Sequence, residues 1–245
     1  MSSPQDSERP GYASEDRGPG LRSFIIVMTV LTVASITLRF WSRSLSYNRG
    51  TRRPQFWWDD WIALLSVPFV LVEFALIFYM LDVGLGRHIG TLSDDNIAKN
   101  LLVIYIVYFF YDTALVLTKA SALLFFSRVF TQHVHRSWFN YALWITHALN
   151  IAWWFGIVFG TIFMCDPVAK NYVPSLPGKC GETGALWIGS AVPSVAIDLI
   201  ILLLPIPKIW GLQLGLAQRS GLIVVFMLGY WYDFHPSSLL NNADD

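Results

Sequence analysis

Residues 100–129 read NLLVIYIVYFFYDTALVLTKASALLFFSRV, a nearly unbroken apolar run with one acid, Asp112, and one base, Lys119, in its interior. On an α-helix, positions seven apart differ by only about 20° in direction, so these two charges share one stripe. A charged side chain at the centre of a bilayer costs roughly 2.5–3.5 kcal/mol on insertion scales, so such groups face protein and find partners. The rest of the chain is read as the source of those partners.

Composition sets the solvent. The 245 residues are 54% hydrophobic and 14% charged, against about 25% charged in soluble domains. Mean hydropathy is +0.48. Several stretches reach the roughly 20 apolar residues that cross a hydrocarbon core. The fold class expected is all-α, a polytopic transmembrane helix bundle with the lipid bilayer as partner. A formal net charge of zero argues against a nucleic-acid partner, which calls for a basic face. The 11 Trp and 10 Tyr suit rings placed at membrane interfaces.

Residues 1–20 are polar and rich in Ser, Pro, Gly and mixed charge, as in a disordered tail. A basic n-region followed by an apolar h-region is missing there, so the first apolar segment reads as an uncleaved anchor. Five complete spans are expected at 21–41, 61–81, 100–127, 138–164 and 184–205, with a partial sixth at 221–232. The first, third and fifth connections carry Arg43, Arg49, Arg52, Arg53, Arg128, Arg136, Lys208 and Arg219. Only Arg87, Lys99, Lys170 and Lys179 fall in the second and fourth. The positive-inside rule then puts the basic connections in the cytoplasm and the N-terminus outside, with the plasma membrane as default location. Arg9, Arg17 and Arg22 in the tail pull the other way.

Cys165 and Cys180 are the two cysteines of the chain. Both lie in the fourth connection, on the expected outer side, where thiols oxidise. A disulfide there would close a loop worth about 3 kcal/mol in the chain-entropy model. Two free thiols sharing a loop are the alternative.

Glu73, Asp112, Lys119 and Asp198 lie deep inside apolar spans. Spans three and five run in the same direction, and at 1.5 Å per residue Lys119 and Asp198 come to roughly the same 12–14 Å above the inner boundary. An ion pair between them follows. It can be a clamp required to bury two charges at all, or the four residues can line a ligand pocket or proton path. Asp59 and Asp60, just before Trp61, read as caps on the positive end of the second span. Gly84-Leu85-Gly86-Arg87-His88 follows no strand and reads as a tight turn rather than a phosphate loop. His133 and His147 are too differently placed for haem ligation. Leu204-Pro205-Ile206-Pro207 ends the fifth span. No Ser/His/Asp set, metal-ligand cluster or nucleotide motif is present in the sequence.

Taken in order, these motifs resemble a family. Asp59-Asp60-Trp61, Gly84-Leu85-Gly86-Arg87-His88, Leu117-Thr118-Lys119-Ala120-Ser121 and Arg128-Val129-Phe130 are similar to the fungal rhodopsin-domain membrane proteins. Cys165-Asp166-Pro167-Val168, the stretch Pro174 to Cys180, Asp198-Leu199 and Leu203 to Pro207 continue the likeness, which covers 21–229. This family also includes the satratoxin-cluster type of membrane protein. The resemblance implies a seven-helix fungal fold, whose members are proposed as receptors for surface cues or lie in secondary-metabolite gene clusters. No retinal is expected, because a seventh helix bearing a Schiff-base lysine is missing. Residues 233–245 depart from the family pattern as an atypical polar C-terminus, so the chain reads as C-terminally truncated, with helix seven and most of helix six lacking.

Three functions are compatible with this reading, of which a small-molecule or proton carrier is disfavoured because no internal repeat is visible. One is a receptor-like sensor of an external or apolar small-molecule cue, with a pocket among helices two, three and five and a cytoplasmic signalling partner at the basic loops. Another is an intramembrane cyclase-type enzyme acting on a polyketide or terpenoid intermediate. Glu73, Asp112 or Asp198 would then act as general acid or base in a water-poor site.

Overall fold

The computed structural model describes residues 18–47, 56–87, 92–130 and 138–207. They form five long helices: α1 (Gly18–Tyr47), α2 (Trp58–Asp82), α3 (Asp94–Phe130), α4 (Trp138–Ile162) and α5 (Thr183–Leu203). Each is long and apolar enough to cross a membrane, so the chain is a multi-pass membrane protein of the all-α class. The helices overrun the expected spans at several ends. α1 begins inside the stretch read as a disordered tail and continues to Tyr47, and α3 starts six residues earlier than Asn100. Polar residues at these ends extend the hydrogen-bonded ladder beyond the apolar segment, which hydropathy alone does not register. The partial sixth span and the C-terminal segment lie outside the described residues.

Within the bilayer every backbone polar group needs an internal partner, and helices supply it. Side-chain hydroxyls follow suit. Thr29, Thr32, Thr37, Thr113 and Thr146 each donate to the carbonyl four residues earlier on their own helix. Pro68 and Pro193 interrupt the ladders of α2 and α5.

Helix α3 is the centre of the bundle: it packs along α2 and also touches α4 and α5, whereas α1 packs on α2. Leu123 of α3, Phe139, Leu143 and Ile157 of α4, and Ile197 and Ile201 of α5 form the core. Most of α1 is uncovered, including Val30, Leu31 and Leu38. Apolar side chains on such a face meet lipid tails, to which they are as well suited as to a core.

The α4–α5 connection is built rather than loose. Strands β1 (Cys165–Asp166) and β2 (Lys179–Cys180) pair antiparallel, Cys165 opposite Cys180, and a 3-10 turn at Val168–Asn171 lies between them. A disulfide joins Cys165 to Cys180. Gly178 lets the chain pass so close to β1 that a Cβ there would collide with the Asp166 carbonyl oxygen. The Tyr172 ring then rests 5.8 Å from that of Tyr105, docking the connection on α3.

Candidate functional site

Three polar assemblies are strung along α3. The first lies at the end of the bundle where α1 finishes, α2 begins and α3 finishes. Arg39 and Arg43 of α1 are four apart and therefore share a face. Arg39 reaches both acids of α2, with Nη2 2.9 Å from Asp59 Oδ2 and Nε 2.8 Å from Asp60 Oδ1. Arg43 approaches the same two oxygens at 3.4 Å. From α3, Arg128 Nη1 lies 3.3 Å from Asp59 Oδ1 and 3.3 Å from Asp60 Oδ2. Ser121 adds a hydrogen bond to the Asp59 carbonyl at 2.8 Å.

Capping is thus the lesser part of what Asp59 and Asp60 do. Asp60 does accept from the Trp57 amide at 3.3 Å, but the two carboxylates are chiefly the centre of a five-charge cluster. Both are fully buried. Sequence reasoning missed this because it read Arg43 and Arg128 only as loop charges. The available signal was Arg39 and Arg43 at helical spacing, near an acidic pair.

The second assembly holds Glu73 and Asp112. Asp112 is buried on α3, and Glu73 is half-buried on the neighbouring α2.

The third joins α3, α4 and α5. Lys119 Nζ donates to the Ser194 carbonyl at 3.0 Å and to Ser194 Oγ at 2.7 Å, and lies 3.1 Å from Asp198 Oδ2. Three acceptors match the three N–H donors of an ammonium. The amine also sits 5.1 Å from the centre of the Trp153 ring, within cation–π range. Trp153 Nε1 in turn donates to the Ser190 carbonyl at 3.0 Å. Ser190 and Ser194 are one turn apart on α5 and bracket Pro193. Asn150 donates to the Val116 carbonyl at 3.0 Å, while its Oδ1 is buried with no partner among the described residues. Only 6% of the Lys119 side chain is exposed, against 50% for Asp198. Asp198 is therefore more exposed than its place in an apolar span suggests. The reason is that α5 has few described neighbours on that side.

Of the four charged span residues, Lys119 and Asp198 form an ion pair, while Glu73 and Asp112 lie on the neighbouring helices α2 and α3. A cavity of about 540 Å³ opens between α4 and α5, lined by Leu149, Trp153, Ile157, Leu186, Pro193 and Ile197 together with Gly156 and Gly189. Its position differs from the pocket expected among helices two, three and five. None of the four charged residues lines it; Trp153 is shared between its wall and the Lys119 site.

The family model for the fungal rhodopsin domain matches residues 38–233. The chain belongs to that family. The chain is 25% identical to the polyenoic acids biosynthesis gene cluster protein Ba17b of Metarhizium anisopliae, over 88% of this chain and 58% of the relative. It is 23% identical to wortmanamides biosynthesis cluster protein C of Talaromyces wortmannii, over 84% and 55%. A third relative, receptor GIN3 of Arthrobotrys oligospora, is 26% identical over 83% and 47%. The chain spans about half the length of the curated relatives it matches. No solved structure matches significantly.

Proposed function

We propose that this chain forms the membrane core of a receptor-like sensor for an apolar small molecule. The observation that carries the reading is the double use of Trp153. One side of its indole lines the apolar α4–α5 cavity, and the same ring lies beside the Lys119 ammonium. Filling the cavity would press on a ring held to α5 by a single hydrogen bond next to Pro193. Displacing that ring changes the surroundings of Lys119 and Asp198. Apolar contact is what such a cavity offers a ligand, with the few polar groups at its edge setting orientation. The basic connections are the natural face for a cytoplasmic partner, with the N-terminus outside and the plasma membrane as location.

Retinal fits these residues poorly. A Schiff base requires an amine free to condense, and the Lys119 ammonium is engaged by Ser194 and Asp198.

An intramembrane cyclase-type enzyme acting on a polyketide or terpenoid intermediate is the second reading. Its support is two acids placed within the bundle, buried Asp112 and half-buried Glu73, together with relatives named for biosynthesis clusters. A metabolite and transcript comparison between strains with and without the gene separates the two. The sensor reading expects whole sets of transcripts to fall together. One accumulated intermediate with its product missing and transcripts unchanged would overturn it in favour of the enzyme.

A further inference from the structure

The five-charge cluster holds more than its own neutralisation requires. Asp59 and Asp60 are fully buried, and all four carboxylate oxygens face guanidinium groups. Two carboxylates against three guanidiniums leave one positive charge in surplus. The partly positive N-terminus of α2 points to the same place.

The surplus is turned outwards. Arg39 and Arg43 both present their Nε and Nη2 atoms to the acids. Arg128 uses Nη1. Among the described residues, no bond uses Nη1 of Arg39 or Arg43, or Nε or Nη2 of Arg128. Their side chains are 28%, 25% and 14% exposed, unlike the sealed amine of Lys119. A guanidinium whose one edge is fixed by a carboxylate is pre-organised to present its other edge to a second planar or tetrahedral anion.

The level of the cluster supplies the second argument. Trp41, Trp58 and Trp61, all exposed, surround it on α1 and α2, and tryptophan collects at the head-group boundary.

We propose that Arg39, Arg43 and Arg128 form a binding site for a phosphate-bearing anion at the junction of α1, α2 and α3. The surroundings favour the head group of an anionic phospholipid in the adjoining leaflet as its source. Free phosphate shares the chemistry but has no use for the tryptophan belt.

The test uses the full chain in nanodiscs of phosphatidylcholine, with and without phosphatidic acid, and reads retained lipid by native mass spectrometry. Phosphatidic acid should be retained preferentially by the natural protein. Arg43→Gln should lower that retention about fivefold, the equivalent of roughly 1 kcal/mol for one basic side chain at the surface. Its melting temperature in pure phosphatidylcholine should stay close to that of the natural protein, since Arg39 and Arg128 still reach both acids. Inorganic phosphate added to the phosphatidic acid discs separates the sources: little displacement supports the lipid, and ready displacement assigns the site to the free anion instead. Equal retention of phosphatidic acid by the natural protein and R43Q overturns the proposal, as does no preference over phosphatidylcholine. Should R43Q fold poorly, photo-crosslinkable phosphatidic acid on the natural protein decides. Crosslinks are expected at the Arg39–Arg43 and Arg128 ends of α1 and α3, and an even spread around the bundle would overturn the site.

Discussion

At one end of α3, Arg128 helps to enclose two acids completely; about two and a half turns of helix away, Lys119 is buried beside an acid that is half exposed. In the end cluster the acids are the sealed members and the arginines their partly exposed cover. The middle of the helix reverses this: the cation is sealed, and Asp198 is open on one side. Five charges drawn from three helices cannot change partners without unpacking α1, α2 and α3 together. By contrast, the Lys119 site is a single ammonium shared between a hydroxyl, a carbonyl and one carboxylate, with an indole that lines the neighbouring cavity beside it. The first arrangement fixes helices, and the second can respond to what fills the neighbouring cavity.

Breaking the fixed region should have the largest effect. Asp59→Ala leaves three guanidiniums around one carboxylate, and removing one partner of a buried charge set costs about 3–5 kcal/mol. The expected result is a large drop in melting temperature in detergent and little protein in the membrane. Next comes the α4–α5 connection. Replacing Cys165 and Cys180 together by Ser should cost about 3 kcal/mol, read as a lower thermal midpoint of the non-reduced protein.

The responsive region should give a smaller effect, and a reversible one. Asp198→Asn weakens one charged hydrogen bond of Lys119, worth about 1.5–3 kcal/mol, discounted because Asp198 is half exposed. Lys119→Met with Asp198→Leu should recover much of the lost stability, since a buried pair can be replaced by apolar side chains of similar volume. A double variant less stable than Asp198→Asn alone would make this site as rigid as the end cluster. Smallest of all, Arg22→Ala removes an ion pair with Asp82 at 2.5 Å whose side chains are 52% and 68% exposed. Such pairs are worth about 0–1 kcal/mol, and the thermal midpoint should scarcely move.

How much of this was legible follows from where each signal lies. Apolar length alone delivers five spans, because the bilayer core demands about 20 residues of each. The shared depth of Lys119 and Asp198 was also readable, being set by rise per residue from span ends. The end cluster was not, because helix-capping preference already accounts for an acidic pair at the start of α2. Joining Asp59 to Arg39 and Arg128 requires knowing which ends of three helices meet. Nor could the cavity be placed. Gly156 on α4 and Gly189 on α5 both line it, and small residues announce close approach or empty space only once their neighbours are known. The family motifs, in contrast, were readable in order along the chain, and the domain match at 38–233 covers most of them.

The most direct measurement concerns Trp153. A deletion strain is complemented with the natural gene or with Trp153→Leu, and membrane protein abundance is measured beside pathway transcripts and metabolites. The sensor account predicts that Trp153→Leu accumulates in the membrane at near-natural level yet leaves transcripts and metabolites as in the deletion strain. Full restoration of both by Trp153→Leu, at natural abundance, would contradict it.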